Sequence, residues 1–254
     1  MPENLKFLAF DTSTDRMSIA LTDGVRVWQH SGPGAAQASS TLIPAILALL
    51  AESGLALGEL DAIAFGRGPG SFTGLRTACA VAQGLAFGAN QGGGIPVLPI
   101  DTLMAVAEEA RFQQAGAASM PSGGAPFRVT ALLDARMDEM YVQSYEFSSG
   151  LCISIKDCEL IRPENLVPEP APHLLAGNVF GVYADRLPAA LASFARVEAL
   201  PTASAMLRLA PALAAAGHCV EAALALPLYV RDKVALTTEE RAQVKAQAAL
   251  AALR

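Results

Sequence analysis

LAFDTSTDRM (Leu8–Met17) and ALLDARMDEM (Ala131–Met140) carry two aspartates and a methionine at the same spacings: Asp11, Asp15 and Met17 in the first, Asp134, Asp138 and Met140 in the second. Each opens as an apolar run and closes in turn-forming residues, the pattern of a buried strand entering a loop. The surroundings repeat as well. KFLAFD (Lys6–Asp11), MSIALTD (Met17–Asp23) and VRVWQHS (Val25–Ser31) read as three strands, the last two joined by an Asp23–Gly24 hairpin signal. FRVTALLDARMDEMYVQSYEF (Phe127–Phe147) and LCISIKDCEL (Leu151–Leu160) predict a second three-strand run. The repeat is an internal duplication: two related lobes facing each other across a hinge and a cleft.

Working outward from the first copy, LIPAILALL lies in a helix from about Ser40 to Glu52, with Pro44 in its first turn, where proline is tolerated. Then come the strand DAIAF (Asp61–Phe65), the loop GRGPGSFTGLR (Gly66–Arg76), a helix from about Thr73 to Phe87 and the strand IPVLPI (Ile95–Ile100). The order β-β-β-α-β-α-β is a mixed sheet that opens with hairpins and continues with parallel crossovers. The segment Gly92–Thr102 and the Gly/Ser/Pro stretch Gly116–Pro126 mark the boundary between copies. The first lobe is placed at 1–100 and the second at 101–218, with residues 219–254 packing back on the first. HLLAGN (His173–Asn178) reads as a buried strand, Thr202–Gly217 as a helix, and TTEERAQVKAQAALAALR as a C-terminal helix capped by Thr238, with Arg241 and Lys245 on its polar face.

Composition narrows the function classes. Hydrophobic residues make up 52% of the 254 and charged residues 17%. Such a chain buries a core easily and leaves small apolar surface over, which favours a protein–protein contact. The net charge of −6 and the absence of a basic tract make it a poor grip for nucleic acid by itself. No secretion signal opens the chain, and apolar runs such as Leu42–Ala51 fall short of a bilayer span. Cys79, Cys152, Cys158 and Cys219 form no C-x-x-C pair and read as reduced, cytoplasmic thiols. His30, His173 and His218 are scattered, without metal-ligand spacing.

Three motifs bear on chemistry. The glycine loop is neither a Walker A sequence nor a dinucleotide fingerprint, since no Lys-Ser/Thr follows it and Ser71 and Thr73 stand where a third glycine belongs. Gly68, Gly70 and Ser71 can either bring backbone N–H groups to a phosphate or form a tight turn in which Ser71 or Thr73 caps the next helix. Asp11, Thr12 and Ser13, ending the first strand, can orient a metal-bound water and bond a phosphate, or simply close a strand-ending turn. The helix TACAVAQGLAFG has two rows of little bulk: Ala78, Ala82 and Ala86, with Cys79 and Gln83 alongside, and Ala80, Gly84 and Gly88. One row packs within the lobe. The other, uncharged from Thr77 to Phe87, suits close approach by a partner.

LAFDTST, AFGRGPGSFTGLRTACAVAQGLAFG, LLDARMDEMY and the late PLYVRDKVA, spanning Phe7 to Ala235 in order, closely resemble the bacterial TsaB (YeaZ) family. The resemblance implies an α/β chain of the actin-like ATPase (ASKHA) fold: two ribonuclease-H-like lobes, each a mixed β-sheet with flanking helices. It implies a role in forming N6-threonylcarbamoyladenosine in the anticodon loop of tRNAs that read codons starting with A. By that resemblance the chain is a non-catalytic subunit supporting TsaD, the catalytic paralogue, with the ATPase TsaE joining the assembly. It forms a homodimer when alone and meets tRNA only through the complex, away from any membrane. The implied interface is two helices of a four-helix bundle, with Leu42, Ala45 and Leu49 from the first helix. Thr73, Leu75, Arg76, Ala78, Cys79, Ala82, Gln83 and Ala86 come from the second. No cofactor is expected to bind tightly, and ATP or ADP would touch Asp11, Thr12, Ser13, Gly68, Gly70 and Ser71 at the boundary with TsaD.

Where the catalytic paralogue carries two metal-binding histidines, this chain has Thr102 and Val106, a weak neutral ligand and no ligand at all. Just before the first helix, where members often carry a histidine or charged residues, Ala36–Ser40 are uncharged. The alternative from another class is a stand-alone ATP-binding ASKHA enzyme that uses Asp11 and the Gly66–Gly74 loop. A peptidase has no nucleophile–base pair or metal motif to rest on.

Overall fold

The computed structural model describes residues 4–117, 126–148, 150–167 and 173–231. β1 (Phe7–Asp11), β2 (Arg16–Thr22) and β3 (Val27–Pro33) form an antiparallel meander. β4 (Ala62–Gly68) pairs parallel to β1, and β5 (Val97–Asp101) parallel to β4, giving the order β3-β2-β1-β4-β5. β1 is buried along its whole length, because both faces of the sheet are covered. Leu8 and Phe10 point to one side, where they meet α1 (Ala38–Ser53) and α2 (Phe72–Gly88). Phe7 and Ala9 point to the other, against α4 (Ala203–Ala215).

The second sheet repeats the plan. β6 (Phe127–Arg136) and β7 (Glu139–Ser148) form its hairpin, β8 (Leu151–Ser154) and β9 (Glu159–Ile161) pair with β7, and β10 (His173–Gly177) and β11 (Ala195–Glu198) add in parallel. The order β11-β10-β6-β7-β8 is the first sheet's order read from the other edge, with β6 in the place of β1. Asp134 therefore lies two residues before the end of β6, at a break in the ladder register, where Asp11 ends β1, and Met17 and Met140 are both core residues. The duplication read from two ten-residue windows is a duplication of topology.

α3 (Thr102–Ala117) lies between the lobes and went unrecognised in sequence. Its Leu103, Val106, Ala107 and Ala110 fill the second lobe's core, while Ala105 faces the first. That i, i+3, i+4, i+7 spacing is the signal that would have found it. α4 packs away from the lobe whose residue range it falls in. Assigned with 101–218, its Ala203, Ala205, Met206 and Leu209 instead pack on the first sheet with Phe7, Ala9 and Ala64. Residues 35–53 are long and apolar enough to cross a bilayer. However, Leu42, Ile46, Leu49 and Leu50 bind one side of that helix to the core. The expected helix capped by Thr238 lies outside the described residues.

Candidate functional site

Asp11, Thr12 and Ser13 leave β1 and bond among themselves and to α2. Asp11 Oδ1 accepts from Ser13 N (2.8 Å) and Ser13 Oγ (2.6 Å), and Thr12 Oγ1 donates to Gly74 O (2.7 Å). The carbonyl of Thr12 lies so near the Gly74 Cα that a side chain there would collide with it, which is why α2 needs glycine in its first turn. Ser71 caps α2, its N–H donating to Ser13 O at 2.7 Å and its hydroxyl accepting weakly from Gly74 N at 3.5 Å. Leu228 N donates to Arg67 O at 2.7 Å, so a late segment of the chain covers the loop.

The loop is thus held by its own chain. Asp11, Thr12 and Gly68, expected to touch phosphate, are sealed: both side chains are wholly buried, and the carbonyl of Leu228 occupies the space above Gly68. Asp11 and Thr12 end a strand that is covered on both faces, and their polar atoms are turned inward. Ser13, Gly70 and Ser71 do line the cleft between the lobes, a cavity of about 430 Å³ shared with Asp15, Asp134, Arg136, Tyr141 and residues 228–231.

Burial raises the Asp11 carboxyl to about 6, opposed by the two Ser13 hydrogen bonds and by the nearby Thr102 hydroxyl. Even so, Asp11 Oδ2 and Thr102 Oγ1 are both buried without a hydrogen-bond partner. A carboxyl shut away from solvent cannot polarise a water in the cleft. Among the described residues, no three His, Cys, Asp or Glu side chains gather as a metal site. Val106, at the other position of the histidine comparison, is a core residue.

The helix pair also corrects the sequence reading. Leu42, Leu49, Leu75, Ala78, Cys79, Ala82 and Ala86 are buried in the chain's own core, so the row Ala78–Ala82–Ala86 is the inward one. Ala45 packs half-buried against the same core. Gln83, the polar residue of this stretch, turns in to donate to Ala225 O at 2.9 Å. Of the expected contacts, Thr73 and Arg76 are exposed. The outward face consists of Ala80, Gly84, Phe87 and Gly88 on α2, beside Ile43, Leu47, Ala48 and Ala51 on α1. Phe87 is 72% exposed and Leu47 54%, values that leave most of each side chain in water. This surface is apolar, low in bulk and uncharged between Thr77 and Gly88.

A family model described as TsaD, tRNA N6-adenosine threonylcarbamoyltransferase, matches residues 33–239. The chain is 36% identical over 243 residues to the tRNA threonylcarbamoyladenosine biosynthesis protein TsaB of Haemophilus influenzae, covering 91% of this chain and 96% of the relative. This chain belongs to the TsaB (YeaZ) family. The Escherichia coli TsaB is 31% identical over 237 residues, with the same shares of 91% and 96%. YeaZ from Pseudomonas aeruginosa superposes with a TM-score of 0.76 at 37% identity, covering 89% of this chain and all but 1% of that one, the 99% shared. A second solved structure, at TM-score 0.75, is described as similar to peptidase YeaZ. The TsaB assignment accords with the actin-like architecture of two mixed-sheet lobes described above.

Proposed function

We propose that this TsaB-family chain is a non-catalytic subunit in the biosynthesis of N6-threonylcarbamoyladenosine in tRNA. It would pair through the outward face of α1 and α2 with a TsaD-type catalytic subunit, with TsaE joining, or with a second copy of itself. The observation that carries this reading is the face itself. Ile43 and Leu47 stand beside Ala80, Gly84 and Phe87, where a surface helix ordinarily shows charge. Low bulk lets a second pair of helices approach closely, and one face cannot hold both occupants at once. Homodimer and heterodimer therefore compete. Modified adenosine is measured with purified TsaD, TsaE and their substrates, with and without this chain. The rate rises when the chain is added; an unchanged rate overturns the proposal.

The sealed Asp11 speaks against the stand-alone ATP enzyme. Titration of the isolated chain with millimolar Mg-ATP in a calorimeter releases no binding heat. Saturable heat at the isolated subunit would restore that alternative. An ATP or ADP contact formed in the complex with TsaD would use Ser13, Gly70 and Ser71, which open on the cleft between this chain's two lobes.

A further inference from the structure

Residues 225–231, which include PLYVR, the first five residues of the PLYVRDKVA motif, run from one lobe to the other. Ala225 is buried beneath α2, and its carbonyl accepts from Cys79 Sγ (3.1 Å) and Gln83 Nε2 (2.9 Å). Leu228 bonds Arg67, as described, and its carbonyl sits over Gly68, whose φ of +124° suits glycine. The Tyr229 ring lies 5.3 Å from that of Phe72, and its hydroxyl accepts from Arg76 Nε at 3.1 Å. Up to here the segment is fastened to the first lobe.

Then it crosses. Val230 joins the second lobe's core. Arg231, with a side chain only 14% exposed, donates Nη2 to Ala135 O (3.0 Å) and Arg136 O (3.3 Å) and pairs with Glu139 at 2.8 Å. Those carbonyls open the turn between β6 and β7, where Arg136, Met137 and Asp138 have φ of 62°, 56° and 60°. Three successive residues with side chains in the left-handed region persist only where their surroundings hold them. Asp134 Oδ1 takes the Arg136 N–H (2.9 Å), and Arg186 grips Asp138 (2.7 Å), both from within the second lobe. Arg136 reaches back across the cleft to Asp15.

We propose that residues 225–231 are a latch that fixes the spacing of the two lobes, with Arg231 as its bolt on a left-handed turn that relaxes when the bolt is withdrawn. Cleft width is then set by this segment, because residues 228–231 also form one wall of the cavity. A guanidinium suits the task because its fork serves two carbonyls and a carboxylate together, which an ammonium does not do in the same geometry.

Hydrogen exchange on the full chain tests the latch, comparing wild type with Arg231→Ala and Arg231→Lys. In both variants the amides of Arg136 and Leu228 exchange about tenfold faster, while those of α1 keep their protection. Small-angle scattering shows a larger radius of gyration. Unchanged exchange at Arg136 overturns the latch, and so does uniform acceleration along the whole chain, which would make Arg231 a general stabiliser. If neither variant folds, Glu139→Gln loosens the same bolt through one contact. It speeds Arg136 exchange by a smaller factor, and no change there also overturns the proposal. No partner subunit enters the experiment, so its outcome is independent of the interface reading.

Discussion

Replacing Gly84 with arginine weakens partner binding about a hundredfold and leaves the chain folded. Gly84 sits in the middle of α2 on the outward face, and a side chain added there meets nothing within 4 Å. The substitution therefore costs no packing within the chain. It raises helix propensity, which favours the fold by up to about 1 kcal/mol. At an interface the same side chain is bulky and brings an unpaired charge into a desolvated centre. Such changes weaken association by about 3 kcal/mol or more, roughly a hundredfold in Kd. The measurement is a titration of TsaD-type partner against wild type and Gly84→Arg, with thermal melting of each alone. Wild-type affinity with an unaltered melt would remove α2 from the interface.

Asp11→Asn stabilises the chain at neutral pH by about 3 kcal/mol. The carboxyl sits wholly buried with its pKa raised from 3.8 to about 6, so the fold prefers the protonated form. Below 3.8 folded and unfolded states are both protonated, and the group costs nothing. Between 3.8 and about 6 the unfolded state alone ionises, and stability falls as pH rises. Above about 6 the full cost is present. Asparagine keeps an acceptor for Ser13 and turns an N–H toward the orphaned Thr102 hydroxyl. Denaturant midpoints at pH 4.5 and pH 7.5 read the difference: a large gain at the higher pH and a gain of about 1 kcal/mol at the lower. Equal gains at both would show that ionisation of Asp11 is not what the asparagine relieves. A residue kept at such cost in a cleft-facing position would argue for catalysis. Here the side chain is wholly buried and bonded to Ser13.

Much of the architecture was legible. Two aspartates and a methionine repeated at fixed spacing implied two lobes, and the strand orders bear that out. Helix α1 begins at Ala38, two residues before the expected Ser40, and α2 is longer than expected by one residue at each end. Of the two cap candidates for α2, Ser71 is the one that caps it, and Thr202, where the expected helix starts, caps α4. α3 escaped because its alanines dilute the apolar periodicity, and β11 because Ala195–Glu198 is short and bears two charges.

The site was harder to read. In α2 both candidate rows are built of alanine and glycine, so no contrast in hydropathy tells inside from outside. The choice fell to packing: Ala78, Ala82 and Ala86 meet Leu8, Phe10 and Ala225, leaving Ala80, Gly84 and Gly88 to solvent. The glycine loop posed the same problem. Glycine permits close approach to whatever lies nearby, and sequence does not say whether that neighbour is a phosphate or the chain itself. At Gly74 the chain's own Thr12 comes close, and at Gly68 its Leu228. What this sequence determined alone was the local and the repeated, namely strand and helix type, caps and lobe number, because those follow from periodicity and near-neighbour hydrogen bonding. What tertiary structure decided was orientation and enclosure: which small-residue face is covered, which aspartate is sealed, and where a late segment crosses between lobes. Those depend on contacts between residues far apart in the chain, which no local pattern encodes.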